Sequence, residues 1–375
     1  MTLLASDIRI ASRRLRRDPL FTGSAVITLG VGIGAAVVVF CIFNVTAPAN
    51  TADGTRENQT AALMIGAVGV LLLLACINVS NLMLARTAAR QRERTLRATL
   101  GAPDQSIIQQ VLVESLILAL LSTCLGLLGT AWVLPFIRTI ETPALPLHLA
   151  SFDHTAVLFA LVLTIATGLV CGIAPAFHAS RENKDHMFGE NERIVLPSAG
   201  ILQDALVTFQ IALAVVLLVG AGLLWSDLVR LLHGETVAQP PGRSGLGLNA
   251  VVVGLFAVAA MGLAALGIYA VTVFSVARRK REFGVRMALG AAPSRIIAVT
   301  LGSGTRMVAS GTGFGLVSAL ALAQILGKWF YQISPSDPLT YGAVSLLLIL
   351  VATTAMFLAA RRATKLDPRV AFADE

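Results

Sequence analysis

Two eleven-residue stretches concentrate the side chains best able to make specific polar contacts. Residues 92–102 read RERTLRATLGA, and residues 281–291 read REFGVRMALGA. Each opens on Arg-Glu (Arg92-Glu93, Arg281-Glu282), places an arginine four residues after the glutamate (Arg97, Arg286), and ends in Leu-Gly-Ala (Leu100-Gly101-Ala102, Leu289-Gly290-Ala291). Glu followed by Arg at i+4 is the favourable order for a helical ion pair. Gly101 and Gly290 suit the position that stops a helix. Pro103 and Pro293 suit the first turn of the next one. The chemistry this spacing offers is recognition rather than bond-making: a charged helix end, a tight bend and a return. Arg92, Glu93 and Arg97, with Arg281, Glu282 and Arg286, are expected to meet or orient a partner surface.

Signatures of bond-making are missing from the 375 residues. There is no G-x-x-x-x-G-K-[ST], no H-E-x-x-H and no G-x-S-x-G, the patterns that cradle phosphates, bind zinc or present a nucleophile. His148, His154, His178, His186 and His233 are scattered through loops and loop edges. Cys41, Cys76, Cys124 and Cys171 each sit in an apolar run without a CxxC pair and read as small packing residues. Neither a metal, nor a cofactor, nor an enzymatic activity of its own is expected of the chain.

The elements that position the cassettes are apolar. The sequence is 56% hydrophobic and 13% charged, with a mean hydropathy of +0.78; a soluble domain carries about 25% charge. Its apolar blocks reach the roughly 20 residues a bilayer crossing requires. Eight can be drawn, at about 20–45, 61–85, 107–134, 154–176, 204–225, 249–276, 297–325 and 341–360. Strand-like alternation is absent, so all eight are predicted helices. The first is too long for the apolar part of a signal peptide and is read as an uncleaved span, although Ala47-Pro48-Ala49 resembles a cleavage site.

The net charge of +8 would suggest nucleic acid in a soluble protein, but the basic residues are distributed otherwise. Twenty-three of the 29 Lys and Arg fall in the N-terminal segment, the loops after spans 2, 4 and 6, and the C-terminal tail. All of these lie on one side of an eight-span chain. That asymmetry predicts cytoplasmic termini and cytoplasmic cassettes, and leaves no case for nucleic acid.

The cassettes recur at an offset of 189 residues, and the likeness continues: Gly126-Leu127 matches Gly315-Leu316, and Asp153 and Asp337 each precede the last span of a unit. The predicted fold is therefore an all-α integral membrane protein, with eight transmembrane helices in two tandem four-helix repeats of parallel orientation. The repeats are placed at 1–176 and 204–375, joined by a cytoplasmic linker at 177–203. Short polar exterior linkers are placed at 46–60 and 226–248.

Two further groups stand out inside the spans. Glu114 and Arg306 are costly charges at membrane depth, for which two readings are open: that they pair across the two repeats, or that each lies near the cytoplasmic interface and snorkels. Gly30 and Gly34, Ser122 and Gly126, and Gly311 and Gly315 repeat at four-residue spacing, as close helix packing requires.

At the cassettes the sequence resembles the MacB/FtsX-like permeases of ABC transporters, and most closely their duplicated, acidobacterial-type form. Further points of likeness are Arg13-Arg14-Leu15-Arg16-Arg17, Leu29-Gly30-Val31-Gly32-Ile33-Gly34-Ala35, Val219-Gly220-Ala221-Gly222, Ser334-Pro335-Ser336-Asp337-Pro338 and Ala360-Arg361-Arg362 followed by Asp367-Pro368. The resemblance implies that each cassette is a coupling helix seated on a separate ATPase subunit, so that ATP is bound only by that partner. It implies a bacterial inner-membrane location, and a transport or mechanotransmission role with an unspecified substrate. The family also implies a folded exterior domain between spans 1 and 2, and the duplicated form another between spans 5 and 6; here those places hold the short linkers. A reduced, non-transporting membrane scaffold is the alternative expectation, and a secondary carrier a second one.

Overall fold

The structure is a computed structural model that describes residues 2–46, 54–89, 104–138, 153–187, 198–232, 243–278, 293–329 and 338–363. Among these residues there are nine helices and no strand: α1 (Thr2–Arg17), α2 (Pro19–Thr46), α3 (Gly54–Ala89), α4 (Asp104–Arg138), α5 (His154–Met187), α6 (Ser198–Leu232), α7 (Arg243–Arg278), α8 (Pro293–Trp329) and α9 (Pro338–Ala363). Helices α2 to α9 are each long and apolar enough to cross a membrane. A helix is the form that satisfies every backbone polar group within one segment, which a hydrocarbon surrounding demands.

Several helices outrun the apolar blocks predicted for them. Helix α3 begins at Gly54, inside the stretch expected to be a linker, and α5 continues to Met187 through Arg181-Glu182-Asn183-Lys184. Hydropathy marks where lipid can surround a helix; it does not mark where the hydrogen-bond ladder stops.

The chain divides into two compact units, Met1–Leu196 with Leu224–Ala259, and Pro197–Leu223 with Ala260–Glu375. In the first unit α4 is central, packing most extensively on α2 and α5. Its two faces explain why. Leu121, Leu125, Leu128 and Trp132 form an exposed stripe at helical spacing, the face suited to lipid. Ser122, Gly126 and Thr130 form a buried stripe on the other side. Small residues go inward because lipid is as apolar as leucine, so that close backbone approach rather than hydrophobicity drives helix association.

The hydroxyls on this inner side return to their own helix. Ser122 donates to the Leu118 carbonyl at 2.7 Å, Thr123 to Ala119 at 2.9 Å, Thr130 to Gly126 at 2.9 Å and Thr164 to Ala160 at 2.7 Å. Two contacts reach across. The hydroxyls of Thr123 and Thr164 lie 2.6 Å apart between α4 and α5, and Thr130 also donates to the Gly34 carbonyl of α2 at 3.2 Å. Phe40 of α2 stacks on Phe159 of α5 with centroids 4.3 Å apart. Helix α3 joins α5 where Ser80 donates to the Cys171 carbonyl at 3.1 Å, with Cys76 of α3 a neighbour of Cys171.

In the second unit α8 lies against α6. A methyl group added at Gly311 would meet the Thr208 carbonyl at 2.8 Å, and one at Gly315 would meet the Ala212 carbonyl at 2.9 Å. Gln210 of α6 donates to the Leu263 carbonyl of α7 at 2.8 Å. Helices α8 and α9 pair with Gly304 beside Met356.

Candidate functional site

The cassettes themselves, at 90–103 and 279–292, lie outside the described residues. Arg92, Glu93, Arg97, Leu100 and Gly101, and their counterparts Arg281, Glu282, Arg286, Leu289 and Gly290, are among them. What the structure describes is the pair of stems that carries each cassette. Helix α3 delivers the first and α4 leaves from it; α7 delivers the second and α8 leaves from it. The repeat is metrically regular here. Helices α3 and α7 both start and both end 189 residues apart, and so do the first residues of α4 and α8.

The stems of the first cassette are fastened by charge. Arg86, in the last turn of α3, donates through Nη2 to Asp18 Oδ2 at 2.9 Å and through Nη1 to Glu114 Oε1. Its guanidinium also lies 4.6 Å over the ring of Phe21, within the range of a cation–π contact. The arginine and Glu114 side chains are nearly buried, at 12% and 11% exposure, while Asp18 is 44% exposed. A buried charge persists only when paired and hydrogen-bonded, and one planar, two-pronged guanidinium serves both carboxylates.

Asp18 stands where the chain turns from α1 into α2. The turn is held by the Thr22 amide donating to the Asp18 carbonyl at 3.1 Å and by the Thr22 hydroxyl donating to the Leu15 carbonyl at 2.8 Å. Pro19 follows as the first residue of α2, where its fixed φ suits a helix start. Helix α1 itself is amphipathic. Ala11 and Leu15 are buried, while Arg9, Arg13, Arg16 and Arg17 are exposed, and the helix packs on α2 and α4. One arginine therefore joins the N-terminal corner, the end of α3 and the third turn of α4.

This arrangement gives Glu114 a partner the sequence reading did not. One of its two readings set Glu114 against Arg306 of the other repeat; in the structure Arg86 of its own repeat engages it. Arg306 is exposed on α8. By sequence alone Arg86 is one more basic residue at the membrane edge. The signal that could have found the pair is that Arg86 and Glu114 flank one cassette, Arg86 six residues before it and Glu114 twelve after it, on the two helices that enter and leave one bend.

The glycines occupy tight interfaces. A methyl at Gly30 would meet the Ser122 carbonyl at 3.1 Å, one at Gly34 the Gly126 carbonyl at 3.1 Å, and one at Gly126 the Gly30 carbonyl and the Gly34 amide nitrogen, each at 2.9 Å. Among the described residues, no group of three or more His, Cys, Asp or Glu could hold a metal ion. Cys41, Cys76 and Cys171 are buried and Cys124 is exposed.

Comparison with known proteins adds to this geometry. The FtsX-like permease C-terminal family matches the chain twice, over residues 65–184 and 254–368. The chain is 34% identical over 127 residues to the macrolide export ATP-binding/permease protein MacB of Rhodopseudomonas palustris, covering 34% of this chain and 19% of that protein. It is 32% identical over 127 residues to the pyoverdine export ATP-binding/permease protein PvdT of Pseudomonas fluorescens, covering 34% and 18%. Against MacB of Burkholderia cenocepacia it is 30% identical over 142 residues, covering 38% and 20%. The chain thus spans about a fifth of the length of these relatives. No solved structure matches.

Proposed function

The chain belongs to the FtsX-like permease family, and from that premise we propose that it is the multi-pass membrane subunit of an ABC-type transport or mechanotransmission machine, driven through its two cassettes by an ATPase lying outside these 375 residues. The observation that carries this reading is the double family match, at 65–184 and 254–368. Each match contains one charged cassette between two membrane-crossing helices. The relatives' names join ATP binding to export, while this sequence holds no phosphate-binding loop. Nucleotide chemistry in this reading falls outside these 375 residues, with the cassettes and both termini on the cytoplasmic side, in a bacterial inner membrane.

The mechanism follows from the stems. Motion of the ATPase displaces a cassette; the cassette is continuous with α3 and α4, or with α7 and α8, so displacement enters the membrane as movement of whole helices. Arg92, Glu93, Arg97, Arg281, Glu282 and Arg286 supply the polar contacts. Leu100 and Leu289 supply the apolar ones, and Gly101 and Gly290 the bend.

The test is copurification of the chain with an ABC ATPase from the same cells, with ATP hydrolysis measured before and after assembly. Assembly should raise hydrolysis, and a Glu93→Lys, Glu282→Lys double substitution should abolish retention. Undiminished binding of the double variant would overturn the coupling assignment. The shortness of 46–60 and 226–248 favours a second reading, a non-transporting scaffold. That reading requires ATPase binding with no ATP-dependent change in the membrane helices.

A further inference from the structure

Helix α5 runs through Pro175 and continues to Met187. Proline has no backbone N–H, so the carbonyl four residues earlier loses its usual helical donor. That carbonyl belongs to Cys171. It lies inside the apolar span His154–Ile173, and both Cys171 and Pro175 are buried. A buried carbonyl left without a donor is costly. Prolines are tolerated in membrane-crossing helices where a neighbour, often a Ser or Thr hydroxyl, satisfies the freed group. Here α3 supplies that hydroxyl. Ser80, itself 4% exposed, donates through Oγ to the Cys171 carbonyl at 3.1 Å.

We infer that Pro175 is a hinge between the membrane-crossing part of α5 and its polar extension, and that Ser80 is the positioning residue that sets it, so that α3 and the bend of α5 move together. The part of α5 before Pro175 is fastened to its neighbours. Phe159 stacks on Phe40 of α2, and Thr164 meets Thr123 of α4. A methyl added at Gly168 would stand 2.8 Å from Leu116 Cδ2, and one at Gly172 would stand 2.5 Å from Ser115 Oγ, so α4 lies close along this stretch. A bend at Pro175 therefore moves the extension, not the span. Ser80 stands on the helix that leads into the first cassette. A slide of α3 by about 2 Å, little more than the rise of one residue, lengthens its bond past about 3.6 Å, where it ceases to be one. The Cys171 carbonyl then needs another donor, and opening the helix at the proline admits water to it. That an ATPase moves α3 belongs to the proposed function; the hinge and its dependence on Ser80 do not rest on it.

Amide hydrogen exchange on the intact protein in lipid nanodiscs, without any ATPase, tests the hinge through a cycle of Ser80→Ala, Pro175→Ala and the double variant. Ser80→Ala strands the carbonyl. It should raise exchange about tenfold in residues 173–179 and leave residues 156–165 unchanged. Pro175→Ala gives α5 an amide that can itself donate to Cys171. On that background Ser80→Ala should change exchange in residues 173–179 by less than about twofold, because the acceptor is already served. An equal rise on both backgrounds would make Ser80 a packing residue and overturn the inference. No rise with Ser80→Ala alone, or a rise spread evenly along α5, would remove the hinge. If Ser80→Ala does not fold, adding Pro175→Ala should restore folding, and a double variant that still fails would refute the inference as well. Copurification with the ATPase is a separate measurement, and its failure would leave these outcomes intact.

Discussion

Alanine at Gly126 should loosen the first unit, and the contrast with alanine at Gly129 measures by how much. Both glycines lie in α4, three residues apart. Nothing lies within 4 Å of a methyl added at Gly129, whereas one at Gly126 would stand 2.9 Å from the Gly30 carbonyl oxygen, 2.9 Å from the Gly34 nitrogen and 3.3 Å from the Gly34 Cα. These are backbone atoms of α2 and cannot rotate away. Restoring ordinary contact, at about 3.5 Å or more, requires the two helices to part by roughly 0.6 Å. A gap of that size forfeits a quarter or more of each dispersion contact along the interface. It also stretches the bond from Thr130 to the Gly34 carbonyl, already 3.2 Å long, beyond useful geometry. Overpacking of this kind costs about 1–3 kcal/mol. The gain in helix propensity on replacing glycine, about 1 kcal/mol, is common to both variants and cancels in their difference. Thermal unfolding of the two purified variants in one detergent, followed by loss of the folded gel-filtration peak, should therefore rank Gly126→Ala clearly below Gly129→Ala. Equal midpoints, or the reverse order, would refute the claim that α2 and α4 are in backbone contact at Gly126.

Other outcomes follow from individual contacts. A double-mutant cycle of Phe40→Ala and Phe159→Ala should return a coupling of about 0.5–1.5 kcal/mol, since the rings stack at 4.3 Å; additive losses would place the rings apart. In a Cys41→Ala, Cys124→Ala background, a membrane-permeant oxidant should join Cys76 to Cys171 and protect both thiols from maleimide after unfolding, because α3 and α5 pack together there, with Ser80 on the Cys171 carbonyl; persistent double labelling would contradict the α3–α5 packing. Glu114→Gln should destabilise the protein more than Asp18→Asn, because the Glu114 side chain is 11% exposed and that of Asp18 is 44% exposed, and screening by solvent weakens the outer pair; the opposite order in a denaturation series would refute it.

The membrane spans were legible in the sequence because lipid imposes a simple rule on composition, and the duplication because whole stretches recur at one offset. The corner at Asp18 was not read, although its signals were present. Ala11 and Leu15 alternate with Arg9, Arg13, Arg16 and Arg17 at helical spacing, an amphipathic pattern that a count of positive charge passes over. The small-residue spacing marked Gly30, Gly34 and Gly126 as packing sites, but which helix each one faces depends on tertiary arrangement. The same holds for Glu114. A carboxylate in a span announces that it needs a cation, and the sequence offered several; only the fold selects Arg86. Helix ends were the least legible. Polar runs such as Thr55-Arg56-Glu57-Asn58-Gln59-Thr60 carry no apolar pattern, yet they extend α3 outward by continuing its ladder.

The hydroxyls along α4 and α5 have a mechanical consequence. Ser122, Thr123, Thr130 and Thr164 each carry a carbonyl acceptor on their own helix, so a neighbour's displacement leaves none of them stranded in hydrocarbon. Buried polar groups usually act as pegs, because moving them apart strands a donor. Here each peg travels with its own socket. Among these contacts, sliding α4 along α2 breaks only the bond from Thr130 to Gly34. Steric fit resists separation of the two helices, while among these hydroxyl contacts little resists shear; the tie that does oppose it is Arg86, between Asp18 at the head of α2 and Glu114 of α4. An interface of that kind behaves as a bearing pinned at one end.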